Sequence, residues 1–401
     1  MELNWLPDHE AVDAITGPID QAISAGEAKR ALLDAPGLIP AAVDPDTATI
    51  IWADVGENDL QEWQFLFSLS AIAKEAGGRV PTIRTHLEDL PELEPAIGDT
   101  IPIAGFIFHM SRCGSTLLGN ILNRSPRHAA INQPGPLQDG FWAYMTEHWM
   151  QPSLPAENRA KFDRDKDLFQ HLVRAILRRR SHAGSEGFIK FRSWSILFVD
   201  FIQSAFPDIP CLFMYRKPIE VLASVVQKKN VAEFATSAQK TFLAGDKKYA
   251  SPNVDNLDFM TACYANYFEK ALTAKLTQTA FLNYRDLKSD HLQRILREGL
   301  QFEGRITDLG LMQDEFNYYS KDRAQEKSAF SRERDLSAKA TKIQERALTD
   351  QLSGLSRLYQ QLEAAPNNLF ALTTEESIGD IEENSPTIGG QSDQINDDKS
   401  L

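Results

Sequence analysis

Apolar positions along this 401-residue chain fall into short continuous runs separated by stretches of helical periodicity. The runs near residues 105–110, 187–192, 210–215 and 279–284 are almost wholly apolar, as strands buried on both faces of a parallel sheet are. Helical patterning fills the intervals between them. This order predicts an α/β fold, a three-layer sandwich whose central parallel sheet is flanked by helices. The sheet is expected within residues 99–370. Residues 1–98 form a mostly helical N-terminal extension, with helical patterning over Ala11–Leu33 and Leu60–Glu75, Pro-rich joints between Pro36 and Pro45, and a short strand at Ile50-Ile-Trp-Ala53. This extension either packs on the core or forms part of a substrate pocket. Residues 371–401 carry few apolar positions and are expected to be a disordered acidic tail.

One junction in this pattern carries chemistry. The run Phe106-Ile-Phe-His-Met ends abruptly in Ser111-Arg112-Cys113-Gly114-Ser115-Thr116, and a helical pattern starts directly afterwards. A strand, a small-residue loop and a helix N-terminus offer several backbone N–H groups to an anion. The nucleotide-kinase loop would place Lys directly before the hydroxyl residue. Ser115 stands there instead, and the only cation in the loop is Arg112, so an ordinary ATP or GTP hydrolase is disfavoured. A second junction follows about a hundred residues later. The strand Pro210–Tyr215 leads into Arg216-Lys217-Pro218-Ile-Glu-Val-Leu-Ala-Ser224. Arg216 then lies at the carboxyl end of a strand, where open α/β sheets bind ligands. Pro218 suits the first position of a helix. Ser224 lies two turns along it, where its hydroxyl and the Arg216 guanidinium can meet one phosphate.

Together these segments resemble the sulfotransferase family. Its 5′-phosphosulfate loop commonly reads P-K-S-G-T-T or P-R-S-G-T-T, with Ser111 here replacing the Pro. Its 3′-phosphate motif R-x-P-x5-S is matched from Arg216 to Ser224 in every fixed position. Gly187-Phe-Ile-Lys190-Phe-Arg192 is similar to the family's central K-T-H strand, and Tyr284-Arg285-Asp286-Leu287 resembles its Y-E-D-L segment, with Arg285 in place of Glu. The full loop wording looks most like a bacterial branch of sulfotransferase-like proteins. The resemblance spans roughly residues 100–365 and implies a P-loop-type domain over 99–370. It implies transfer of a sulfuryl group from 3′-phosphoadenosine-5′-phosphosulfate (PAPS) to a hydroxyl or amine of an unidentified acceptor, either a small molecule or a carbohydrate. Arg112, Cys113, Gly114, Ser115, Thr116, Arg216 and Ser224 would hold the donor. Arg112 and Lys190 would be catalytic, with Lys190 neutralising charge on the sulfuryl group or its bridging oxygen. No metal is implied, because cations and the helix dipole serve in its place.

The general base is the missing part. Arg192 occupies the position of the family's K-T-H histidine, and Gln133 stands at the comparable Glu position of other members. Neither accepts a proton at neutral pH. His109, His128 (in an expected turn) and Asp139 remain as candidates without a motif. Three readings therefore stay open. One is an active enzyme with an unusual base, and another is a catalytically degenerate nucleotide-binding relative acting as regulator or scaffold. The third is another P-loop phosphoryl-transfer enzyme, which the Arg216–Ser224 segment opposes because ATP carries no 3′-phosphate.

Composition adds exclusions. The net charge of −14 argues against nucleic-acid binding while leaving room for a local basic pocket. Eight acidic residues and one lysine in Thr373–Leu401 account for half of it. Three cysteines have neither metal-ligand spacing nor a disulfide pattern, although the helix N-terminus and Arg112 favour a lowered thiol pKa at Cys113. No run reaches the roughly 20 apolar residues of a membrane span, and no basic, apolar leader opens the chain, so a cytoplasmic protein that does not enter membranes is expected. Arg178-Arg179-Arg180 closes a helical pattern and suits a helix C-terminus better than an anion site. The charge-dense stretch Lys321–Arg346 contains Ser331-Arg332-Glu333-Arg334, a possible substitute for the family's late R-K-G segment and equally a solvated helix face. Trp142, Tyr144 and Trp149 serve either an apolar acceptor site or ordinary packing.

Overall fold

The computed structural model describes residues 6–19, 21–151, 158–180, 184–225, 230–274, 278–302, 306–318, 320–321, 329 and 350–371. The acidic tail from residue 372, His182 and the Ser331–Arg334 segment lie outside the described residues.

The N-terminal region folds as helices α1 (Asp8–Thr16), α2 (Ala25–Asp34), α3 (Phe65–Glu75) and α4 (Leu90–Ile97) around three strands, β1 (Leu38–Asp44), β2 (Thr49–Asp54) and β3 (Thr82–His86). The helical pattern over Ala11–Leu33 is two helices, because Gly17-Pro18 breaks it and Ser24 restarts it with a capping box to Glu27. The antiparallel order is β1-β2-β3. The stretch expected as a Pro-rich joint is in fact the edge strand β1, which admits Pro40 because the register slips between Pro40 and Ala42.

The second layer system starts at β4 (Ile103–His109) and continues through α5 (Ser115–Leu122), β5 (His128–Asn132), α6 (Gly140–Met145), α7 (Arg159–Ile176), β6 (Glu186–Lys190), α8 (Val199–Ala205), β7 (Cys211–Tyr215), α9 (Pro218–Val225) and β8 (Thr279–Asn283). All five strands run parallel in the order β5-β6-β4-β7-β8, with helices on both faces. Each of the four expected apolar runs is a strand. The fifth, β5, was expected as a turn at His128; its ring is instead buried, with Nδ1 3.0 Å from the Leu122 carbonyl. Parallel pairing sends every strand's carboxyl end, and with it Met110–Gly114, Gln133, Lys190 and Arg216, to the same edge of the sheet.

The two sheets share one buried cluster. At Gly140 an added Cβ would sit 2.0 Å from the Val43 carbonyl oxygen, so only glycine lets β1 lie this close to α6. Arg178 threads the same seam and donates to the carbonyls of Leu32, Ala35, Leu38, Ala96 and Ile97. It thereby caps the C-terminal ends of α2 and α4, whereas its own helix α7 ends two residues earlier, at Ile176. Trp142 stacks on Phe198 at 4.3 Å and Trp149 meets Phe242 edge-on at 5.3 Å, so both are packing.

Candidate functional site

The loop between β4 and α5 is shaped by backbone that most residues avoid. Ser111, Arg112 and Gly114 have φ of 85°, 52° and 79°. Left-handed conformations in non-glycine residues cost on the order of 1 kcal/mol each and persist only where the surroundings hold them. A proline ring cannot adopt φ of 85°, so the backbone at Ser111 excludes the Pro that the resembled motif carries there. Glycine is required at 114 twice over. Its φ is positive, and a Cβ there would lie 2.6 Å from the Tyr284 ring and 2.9 Å from Leu287.

The two motif segments meet here. Arg112 Nε donates to Ser224 Oγ at 3.0 Å, and Arg216 Nη1 donates to the Arg112 carbonyl at 3.4 Å. The Arg216 guanidinium is aligned by Glu220 at 2.5 Å and stacks 4.2 Å above the Tyr284 ring. A cavity of about 140 Å³ opens over the loop and is lined by Ser111, Arg112, Gly114, Ser115, Thr116 and Arg216 among others. Its other wall includes Gln133, which the sequence placed at a site position, and Lys321 of the charge-dense stretch, whose ammonium sits 5.2 Å from the ring of Trp63; Trp63, Tyr318 and Ser320 were not legible in the sequence as parts of this wall. Trp63 comes from the segment before α3, which is tied to β5 by Asn132 Nδ2 to the Glu62 carbonyl (3.2 Å) and by Gln64 Nε2 to Gln133 Oε1 (2.8 Å). The N-terminal region therefore packs on the core and also forms part of the pocket wall.

Three expected site residues stand apart from the cavity surface. Ser224 reaches it only through Arg112. Cys113 is fully buried, its thiol donating to the Met214 carbonyl at 3.2 Å. Burial pushes its pKa up to about 11, so the expected lowering at the helix N-terminus is overturned: desolvation of a thiolate outweighs the loop amides and the nearby cations. Lys190 is 1 % exposed, and its Nζ has no hydrogen-bond partner among the described residues. Burial brings its pKa down to about 7.

Of the base candidates only His109 lines the cavity. His128 faces Phe188 and Phe302 and lines a second cavity, of about 150 Å³, beside Arg178 and Arg180. Asp139 belongs to a buried cluster. Its side chain meets Arg192 Nη1 at 3.4 Å and Gln239 Nε2 at 3.3 Å, and its N–H donates to Asp8 at 2.9 Å. Arg192 also stacks 4.2 Å over Trp194. Burial raises both carboxyl pKa values above the ordinary range, Asp8 well above it with Asp139's charge as the second cause, while Arg192 pulls both down. A carboxyl whose folded pKa is raised binds its proton more tightly when folded, so its contribution is present at low pH and is lost as pH rises from the unfolded value through the folded one. Asp8→Asn keeps an oxygen for the Asp139 N–H and removes the charge. It is expected to gain roughly 1 kcal/mol at pH 8, about 1–2 °C in Tm, and nothing at pH 4. Paired melting curves at the two pH values check this; a gain of equal size at both would mean that charge is irrelevant to the cluster.

Elsewhere among the described residues, ligand atoms of His9, Asp44 and Asp46 lie within 4.8 Å of one another, outside the loop cavity. Asp44 there is already engaged by Arg84 at 2.9 Å and by the amides of Asp46 and Thr47.

No family model matches the chain, and no curated protein matches it. Among solved structures it is similar to the sulfotransferase STF9 from Mycobacterium avium, with a TM-score of 0.40 and 12 % identity over 86 % of this chain and 97 % of that one. It is also similar to the sulfotransferase STF1 from Mycobacterium tuberculosis H37Rv, with a TM-score of 0.38 and 13 % identity over 88 % of this chain and 96 % of that one. What defines the fold is the strand order and its parallel registers. No described helix is long and apolar enough to cross a membrane.

Proposed function

We propose that this protein is a sulfotransferase that takes a sulfuryl group from PAPS and passes it to a hydroxyl or amine of a small-molecule or carbohydrate acceptor. The observation that carries the reading is the contact of Arg112 with Ser224 and Arg216, which joins the two motif segments around one cavity. In this reading the loop N–H groups, Arg112 and Thr116 hold the leaving 5′-phosphate, and Arg216 holds the 3′-phosphate, with Ser224 acting through its bond to Arg112. Charge developing on the leaving group meets donors already fixed in place, which is where such sites gain most of their rate. Lys190, at the end of β6, is the further cation of this reading, although it is buried and not on the cavity surface. The orphaned state of its ammonium fits a seat for an anion.

The engagement of Gln133 by Gln64 and of Arg192 by Asp139 favours a second reading, a nucleotide-binding relative without turnover. Calorimetric titration with 3′-phosphoadenosine 5′-phosphate (PAP), beside 5′-AMP and ATP, tests what both readings share. Selective binding of PAP is expected. Because Lys190 has a pKa of about 7 in the free protein, an anion near it raises that value. Binding should then take up a proton above pH 7, and affinity should fall between pH 7 and 9. Equal affinity for PAP and 5′-AMP would remove both readings. Formation of PAP from PAPS in the presence of acceptor mixtures separates the first reading from the second.

A further inference from the structure

We propose that His109 is the positioning residue of the loop, a fixed Nε2–H tautomer that pins Ser111 through Nδ1, and that it is not the proton acceptor of the site. The proposal rests on the sulfotransferase reading only for the nucleotide used as a probe. β4 ends at His109, and its ring turns back so that Nδ1 accepts the Ser111 N–H at 3.0 Å. That bond spans the point at which the chain enters left-handed space at Ser111 and Arg112. On either side the loop is fastened to β7 and its end, by Met110 N–H to the Met214 carbonyl at 3.1 Å and by Arg216 to the Arg112 carbonyl. His109 supplies the tie between these two.

The tautomer follows from the donor. A neutral imidazole has one N–H, so a ring whose Nδ1 accepts a hydrogen bond carries its proton on Nε2. A second proton would sit on Nδ1 and point at the Ser111 N–H, donor against donor, and the tie would break. The surroundings oppose that proton. Burial is the main cause, and Lys190 at the end of β6, Lys321 and Arg192 all direct positive charge at the ring. Among the described residues the Phe191 backbone favours the charged form, and Nε2 completes no hydrogen bond. The Ser111 amide is thereby spent inside the protein. It is therefore not among the donors that a bound anion can use, and the acceptor's proton must go elsewhere.

Two variants separate the ring's nitrogens. Asn at this position offers an oxygen near Nδ1 and keeps the tie, whereas Gln offers an amide near Nε2 and loses it. His109→Asn is expected to bind PAP within about threefold of the wild type. His109→Gln and His109→Ala are expected to lose tenfold or more, with wild-type fold retained by circular dichroism. In protein labelled with ¹⁵N-histidine, the resonance absent from the Asn variant should show a protonated Nε2 and a bare Nδ1, unchanged from pH 5.5 to 8.5. A His109 resonance titrating between pH 6 and 8, or an Asn variant that binds worse than the Gln variant, would overturn the proposal. If wild-type protein does not prefer PAP, the sulfotransferase reading fails, and the nitrogen spectrum still decides the tautomer.

Discussion

Arg216→Ala is expected to lower the affinity for PAP about 100-fold or more while leaving 5′-AMP nearly unchanged. Arg216 is 4 % exposed, and three contacts fix the direction of its guanidinium: Glu220 at 2.5 Å, the Arg112 carbonyl at 3.4 Å and the Tyr284 ring at 4.2 Å. Charge-assisted hydrogen bonds to a phosphate are worth about 1.5–3 kcal/mol each, so the loss of one or two supplies the 100-fold. Removing the cation also leaves the Glu220 carboxylate facing an incoming phosphate. Arg216→Lys restores charge but not the fork or the stack, and an intermediate loss of about tenfold is expected. The comparison of ligands decides the interpretation. If 5′-AMP weakens as much as PAP, Arg216 supports the loop rather than a 3′-phosphate, and the assignment of the Arg216–Ser224 segment is wrong.

The parts of this protein visible in sequence are those whose cause is local. Strands buried on both faces have to be apolar throughout, and Phe106–Phe108 and Leu212–Tyr215 could be placed on that ground alone. The loop was visible because an apolar run ends abruptly in small residues directly before a helical pattern. β5 was missed because His128-Ala-Ala-Ile-Asn is too short and too mixed to stand out. It pairs with β6 along its whole length, from His128 opposite Glu186 to Asn132 opposite Lys190, and such pairing leaves no mark on periodicity. β1 was missed because Pro40 reads as a breaker until a register slip accommodates it. The Trp63 wall depends on hydrogen bonds between residues about 70 apart, and nothing in Glu62-Trp63-Gln64 announces them. Cys113 was misread for a related reason: proximity to a helix N-terminus is a sequence property, whereas full burial is not.

Glu363→Ala is expected to destabilise the fold by about 3 kcal/mol and to weaken PAP binding in the same variant. Glu363 lies 5 % exposed at the end of the helix Asp350–Glu363, which packs on α9 and on the helix Asn256–Thr273 and reaches the carboxyl ends of β7 and β8 through its Tyr359 and Glu363 side chains. Its Oε1 receives the Tyr215 hydroxyl and Asn283 Nδ2 at 2.8 Å, its Oε2 faces Arg285 Nη2 across an ion pair of 2.6 Å, and Asn368 Nδ2 closes the network on the Tyr215 oxygen at 2.7 Å. Truncating one member of a buried ion pair typically costs 3–5 kcal/mol, because the partners lose their match and cannot all reach water. Arg285 is one-third exposed and can turn outward, which places the expectation at the low end. The effect reaches the site through the chain itself. Tyr215 precedes Arg216, and Tyr284, on which Arg216 stacks, sits between Asn283 and Arg285. Arg285, the departure from the Y-E-D-L wording, thus has its carboxylate supplied by Glu363 on the C-terminal helix. Glu363→Gln keeps the acceptor for Tyr215 and should recover most of the binding while remaining less stable than the wild type. Denaturant melts beside PAP titrations check both halves. An Ala variant that loses stability yet binds PAP normally would show that the C-terminal helix holds the sheet without setting the direction of Arg216.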